Sequence, residues 1–354
     1  MPTTSIDTFF ACVLMVIVIL SAMAATSNLS YLLTGSDNPA SVSAGNLELS
    51  RYILLNEGDP PNWGQESASI PTLFGLAKTS ASEAYELDVD KLARCNSQSA
   101  FSLTYTQVYA MLKMPDFSFE IEVRPIFDVE ITQTAEFVLV DQTIYQFKIS
   151  TDKAGLPVDS ILKAYAFAEA YFESSALISS TGEISINVTL PNSRQGSALL
   201  IVFASSVADQ KIVSFASYII SGDLDALEAN TSILALSCLN GTTVISSLNS
   251  NIVLSDVYAV TPDHNSTLQL APTLDGAYIA GLPLLVDFGP MLVVATGYNN
   301  MSFFVEWTSY PQLPLRFGAE FENVSASSTV SANQYIVKVG SSFYICIIRV
   351  SRLD

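Results

Sequence analysis

His264 is the only histidine in the chain, so any Ser-His-Asp or Cys-His arrangement would have to use it. It lies in a polar, turn-like stretch, 261–267 (TPDHNST), beside an Asn-x-Ser/Thr acceptor. A catalytic histidine needs a pocket and an orienting partner. Neither is visible around it, and we read a solvated loop histidine. No GxSxG elbow, HExxH pair, Walker-type loop or GxGxxG turn occurs. Carboxylates are the remaining reactive groups. Asp88 and Asp90 open a short helical stretch, where acids cap free N–H groups and favour the positive end of the helix dipole. Asp223, Asp225 and Glu228 lie between two strand-rich regions and could bind calcium at a hinge, although no EF-hand loop is present. Calcium is the one cofactor the sequence suggests. Nothing selects the pair of carboxylates that a glycoside hydrolase needs.

There are four cysteines, Cys12, Cys95, Cys238 and Cys346. No CxxC or Cys/His spacing suggests zinc. Cys238 and Cys346 each sit in a strand-like run, and two readings stand for them: one disulfide in an oxidising compartment, or two buried thiols. Among the aromatics, Tyr165, Phe167, Tyr171 and Phe172 are assigned to a sheet face and its exit. Trp307 and Tyr310 are assigned to a core strand bounded by Pro311 and Pro314, with sugar or protein binding as the functional alternative.

Composition bounds the partners. The chain has 354 residues, 49% apolar and 14% charged, with a formal net charge of −19. An apolar content this high excludes a disordered chain. The acidic balance, with no basic run to offset it, excludes nucleic acid as a partner.

The elements that must carry these residues begin with an N-terminal anchor. Residues 8–36 carry no charge, and 9–25 (FFACVLMVIVILSAMAA) are strongly apolar. With its flanks this run reaches the roughly 20 residues of a bilayer-spanning helix. A cleaved signal peptide is the rival reading, but the basic n-region it normally has is missing. We therefore expect 1–36 to be a single-pass anchor, with the rest of the chain outside the cell. Seven Asn-x-Ser/Thr acceptors agree with an exterior location: Asn28, Asn187, Asn230, Asn240, Asn265, Asn300 and Asn323. Asn28 is too near the membrane to count as a candidate. The other apolar stretch, 277–298, contains Pro283, Asp287 and Pro290 and reads as two short strands with a turn.

Residues 37–128 read as a small α+β domain. Helical spacing over 46–55 stops at the Gly and Pro residues of 57–61, short helices follow at 88–94 and 104–113, and 117–124 alternates as a half-buried strand. Over 129–222, strand-like runs at 136–140, 144–150, 161–168, 184–190, 198–205 and 212–220 are separated by turn residues, the pattern of an antiparallel sandwich. Residues 223–354 continue in the same style and are expected to form a second, C-terminal β domain. The fold class is thus mainly β, with a transmembrane helix, a small α+β domain and two sandwich-like domains.

The N-terminal stretch TTSIDTFFACVLMVIVILSAMAATS, with RYILLNEGDPPNWG, LFGLA and YELDVDKLARCN after it, resembles archaeal pilin-like, membrane-anchored surface proteins. KAGLPVDSILKAYAF, TGEISINVTLP and GSALLIVFAS resemble the immunoglobulin-like or macroglobulin-like modules of surface adhesins. The pilin resemblance implies a role for Asp7. With cleavage after Pro2 it would be the fifth mature residue, where pilins carry an acid that neutralises a neighbour's N-terminal amine during assembly. The basic and small residues that usually precede such a cut are absent, and Asp7 also reads as a simple hydrophilic flank. The expected function is a non-enzymatic structural or adhesive surface protein. Its partners would be the membrane, surface proteins, glycans, or copies of itself in a filament. A solute- or glycan-binding surface protein and an exported carboxylate-dependent hydrolase are the alternatives.

Overall fold

The computed structural model describes residues 39–114, 116–169, 171–179, 182–221, 232–248, 251–283, 289–321 and 330–352. The expected anchor at 9–25, Asp7 and Cys12 lie outside the described residues. Among the described residues, no helix is long and apolar enough to cross a membrane. The fold is mainly β, with several sheets arranged as sandwiches.

Local sequence explains the helices. Helix α1, Pro39–Leu55, buries Leu49, Ile53 and Leu54. Helix α2, Val89–Ala93, is capped by the Asp88 side chain, which accepts from the backbone N–H groups of Asp90 and Lys91. Helix α3, Tyr105–Leu112, begins with a reciprocal capping box between Thr104 and Gln107 and ends where Lys113 takes left-handed backbone angles.

The small helical region is completed from the far end of the chain. The strand Phe117–Arg124 pairs on one side with Ser342–Arg352 and on the other with Leu315–Gly318. Val330–Val339 and Glu86–Leu87 extend the same five-stranded sheet. The expected unit 223–354 therefore does not match the sheet pairing, because its last part belongs with residues 39–124. The physical reason is shared burial. Phe119, Ile121 and Val123 present an apolar face that Val337, Val339, Tyr344, Cys346, Ile348 and Val350 continue, and helix α1 covers it. The opposite face of Phe117–Arg124 is charged, with Glu120 taking Arg316 and Arg349 as ion-pair partners.

Four antiparallel sheets make up the rest. In strand order, sheet I places Gln142–Lys153 between Asp128–Val138 on one side and Glu183–Pro191 with Leu156–Pro157 on the other. Sheet II runs Val213–Ile220, Ala198–Ser206, Ser160–Ala168, Tyr171–Ser179. Sheet III runs Asn265–Thr267, Ile252–Val260, Met291–Asn299, Ser302–Tyr310. Sheet IV runs Leu234–Leu239, Thr242–Ser247, Tyr278–Gly281, Ala271–Pro272. Among the described residues of the run 277–298, Tyr278–Gly281 is a short strand of sheet IV and Met291–Asn299 a nine-residue strand of sheet III.

Sheets I and II enclose one core and sheets III and IV another. A third core joins the two sandwiches, because alternate side chains of the central strands point to opposite faces. Ala198, Leu200, Val202 and Ala204 face sheet I, while Leu199, Ile201 and Phe203 face sheet III. Met291, Val293 and Ala295 face sheet IV, while Leu292 and Val294 face sheet II. The order of layers is therefore I–II–III–IV. Two-sided burial explains why 198–206 and 291–299 are almost continuously apolar instead of alternating. Each large side chain in that central core contributes about 1.5–3 kcal/mol by leaving water. Tyr165, buried there, donates its hydroxyl to the Thr261 carbonyl at 2.8 Å. Gly196 is needed where the turn before Ala198–Ser206 passes against Phe303 of sheet III: its φ is +82°, and a Cβ would lie 2.0 Å from the Phe303 carbonyl oxygen.

Candidate functional site

Several buried ionisable groups gather around helix α2, where the helical region meets sheet IV. Asp90 is buried and accepts from the Tyr310 hydroxyl at 2.6 Å and from the Asn240 backbone N–H at 2.7 Å. Burial raises its carboxyl above the ordinary value, against the pull of those two donors. Burial also holds the Tyr310 hydroxyl protonated. Close by, the Cys238 thiol is pushed up to about 12 by burial. The thiolate is the nucleophile, so a thiol held this far up does no chemistry near neutral pH. The Asp90–Tyr310–Cys238 group is a polar seam between two packed units.

On the other side of helix α2, two buried cations flank one indole. The Lys91 ammonium lies 5.9 Å and the Arg94 guanidinium 5.6 Å from the Trp63 ring centroid. Lys91 donates to the carbonyls of Glu57 and Ala77. Arg94 donates to those of Trp63, Glu66, Ser69 and Phe101. Burial lowers both groups' pKa values. With their donors directed at loop carbonyls, these cations tie the irregular chain of 56–103 around Trp63. The sequence shows Trp63 in a turn, but no local pattern announces the two cations that would flank it.

The other expected residues are dispersed. His264 is exposed in a loop, where its backbone N–H meets the Thr261 hydroxyl. Trp307 is half-buried in the core between the sandwiches, edge-on to Phe215 at 5.8 Å. Tyr165 and Phe167 are buried in that same core, and Tyr171 and Phe172 begin a strand of sheet II that the sequence reading lacked. Asp223, Asp225 and Glu228 lie outside the described residues, as do Asn28, Asn230 and Asn323. Among the described residues, no cluster of three or more His, Cys, Asp or Glu could hold a metal.

Of the two readings for Cys238 and Cys346, the disulfide is overturned. Both are free and buried, one in the core of sheets III and IV, the other in the core under helix α1. Each is satisfied by apolar packing on its own side of the junction.

Asn187, Asn240, Asn265 and Asn300 are all exposed. Asn240 and Asn300 hold left-handed backbone angles in two-residue hairpin turns, a conformation asparagine tolerates well. Turn geometry alone therefore accounts for asparagine at those two sites. Asn187 borders a cavity of about 250 Å³ between the edges of sheets I and II. Glu173, Ser175 and Ser185 line it, over Ala164, Ala166 and Leu200. Glu173 is the one carboxylate in that lining, so the cavity does not supply the facing pair of glycoside hydrolysis.

Compared with models of known protein families, the chain matches none. No curated protein matches it either.

Proposed function

We propose that this chain is a non-enzymatic structural or adhesive protein of the cell surface. The apolar segment 9–25 would anchor it, and the stacked sheets would stand outside as a stiff display body. The observation that carries this reading is the continuous apolar junction between the two sandwiches. A body whose adjoining sheets are buried on both faces resists bending, unlike modules on a flexible linker. The exposed acceptors Asn187, Asn240, Asn265 and Asn300 agree with an exterior location. The resemblance to pilin-like proteins adds Asp7 as an assembly residue, and the separate resemblance to surface-adhesin modules adds an immunoglobulin-like character for 129–222. Calcium at Asp223, Asp225 and Glu228 belongs to the same proposal, as a stiffener of the segment between the sandwiches.

Mass spectrometry of the native protein tests this directly. A start at Thr3 supports prepilin-type processing, and an intact N-terminus supports a plain anchor. Glycopeptides covering the exposed asparagines would place the body outside. A start near Ser27 would make the protein a released one and end the anchored reading.

A second reading has one observation in its favour, the cavity beside Asn187. Its apolar floor and hydroxyl-bearing rim suit a small polar solute or a sugar. A shift in melting temperature on screening monosaccharides, absent in Ala164→Trp, would support it.

A further inference from the structure

The hairpin between Asp128–Val138 and Gln142–Lys153 ends in four consecutive exposed apolar residues, Phe137, Val138, Leu139 and Val140. The other exposed large apolar residues among the described ones stand singly in sequence, which is ordinary on a protein surface. A contiguous group marks a contact surface. Consecutive strand residues point to opposite faces. Phe137 and Val138, 54% and 70% exposed, therefore stand on the two faces of the sheet's end, and Leu139 and Val140 close the turn between them. A flat protein partner would cover one face and leave the other in water. An apolar fluid covers both.

The backbone of the tip is prepared for such a fluid. A backbone polar group that leaves water needs a partner within the protein. The Asn192 side-chain amide donates to the carbonyls of Leu139 and Val140, at 2.7 and 3.2 Å. The Asn192 backbone N–H donates to the Asp141 carbonyl at 3.0 Å, and the Leu139 N–H to the Gln142 carbonyl at 2.8 Å. The Asn192 oxygen is itself satisfied by the Thr143 hydroxyl at 2.7 Å. In a turn that stays in water the solvent satisfies such carbonyls, and no amide from a neighbouring turn is required.

Polar residues lie directly behind the tip. Glu136, Asp141 and Gln142 are exposed, and Arg194 directs its donors at Gly196, Tyr145 and Ser221. At about 3.3 Å per residue the tip reaches about 10 Å beyond Glu136. That is the depth to which interfacial segments bury their apolar face. The two acids then stand at headgroup level, where they favour an uncharged lipid surface over an anionic one.

We infer that the 137–140 tip enters the surface of a zwitterionic lipid bilayer, as a contact separate from the apolar segment 9–25. The inference concerns the tip alone and holds whether or not 9–25 anchors the chain.

The test uses the full-length protein in a Cys12→Ser background, with a nitrobenzoxadiazole fluorophore on Val140→Cys. Cys95, Cys238 and Cys346 are buried and stay unlabelled. The protein is taken from mild detergent into phosphatidylcholine vesicles. Lipid with brominated acyl chains is supplied either in those vesicles or in a second population added afterwards. The emission should shift to the blue, and brominated lipid should quench it in at least one of the two arrangements. A label on Lys153→Cys, at the opposite end of the same strand pair, should stay unquenched in both. Phe137→Asp with Val138→Asp should abolish the quenching at position 140, with circular dichroism unchanged from the parent. Quenching on phosphatidylcholine should survive high salt. Replacing part of that lipid with phosphatidylglycerol should weaken it, and salt should then restore it by screening Glu136, Asp141 and the net charge of −19. No quenching in either arrangement would overturn the inference. A blue-shifted emission that brominated lipid leaves untouched would do the same, since protein from this copy or another would then cover the tip. Equal quenching of the Lys153→Cys label, or quenching indifferent to the two aspartates, would also overturn it.

Discussion

The hydroxyl of Tyr310 donates to the Asp90 carboxylate at 2.6 Å across 220 residues of sequence. Asp90 belongs to helix α2 and Tyr310 ends a strand of sheet III, so this bond joins the helical region to the second sandwich. Its energy depends on what replaces the acid. Asp90→Asn keeps an acceptor for both donors and is expected to match or exceed the parent's stability at neutral pH. Asp90→Ala removes the carboxylate that accepts from the Tyr310 hydroxyl and the Asn240 backbone N–H and should cost about 1–3 kcal/mol. Burial raises the folded-state pKa of Asp90, so the folded chain binds more protons there than the unfolded one. That contribution therefore falls as pH rises through the window between the unfolded and folded values. Urea midpoints taken from about pH 4 to about pH 7 should fall more in the parent than in Asp90→Asn. Parallel profiles would show that the acid carries no linked proton.

Lys91→Met should destabilise by roughly 2–4 kcal/mol, because it leaves the carbonyls of Glu57 and Ala77 without their donor and removes a cation from Trp63. The chain has two tryptophans, so Trp307→Phe isolates the Trp63 emission. A change in that emission should accompany the loss of stability; a stable variant with unaltered emission would contradict the role assigned to Lys91.

The shared core of sheets II and III should make the two sandwiches unfold together. Phe203→Ala is expected to cost about 3–5 kcal/mol and to lower one common transition. Tryptophan fluorescence, to which Trp307 at the junction contributes, and far-ultraviolet circular dichroism should coincide through urea unfolding in parent and variant. Two separated transitions would mean that the junction couples the sandwiches weakly.

Cys95, Cys238 and Cys346 are buried free thiols, each pushed up to about 12 by burial. None should react with maleimide in the native protein, and all three should react in urea without prior reduction. A dependence on reductant at Cys238 or Cys346 would restore the disulfide.

Much of the local structure was legible because its causes are local. Thr104 followed by Gln107 specifies a helix start, and Asp88 specifies another. The alternation of Phe119, Ile121 and Val123 with polar neighbours specifies a strand with one wet face. Asn240-Gly241 specifies a tight hairpin. Unbroken apolar runs at 198–204 and 291–295 announce burial on both faces. They cannot name the layer opposite, since any apolar face would serve.

Tertiary structure alone decided which distant segments meet. The last hairpin joins Phe117–Arg124 and not the neighbouring sandwich, because strand pairing answers to the summed fit of a whole face. The same limit hid the fate of single residues. Asp90 reads as a helix-start acid like Asp88, yet only the fold presses it against Tyr310 and raises its pKa. Cys238 and Cys346 look like possible partners in sequence, yet the fold gives each its own core. Propensity, capping and turn chemistry act within a few residues. Pairing, burial and the pKa shifts they cause arise from contacts between residues that the chain itself keeps far apart.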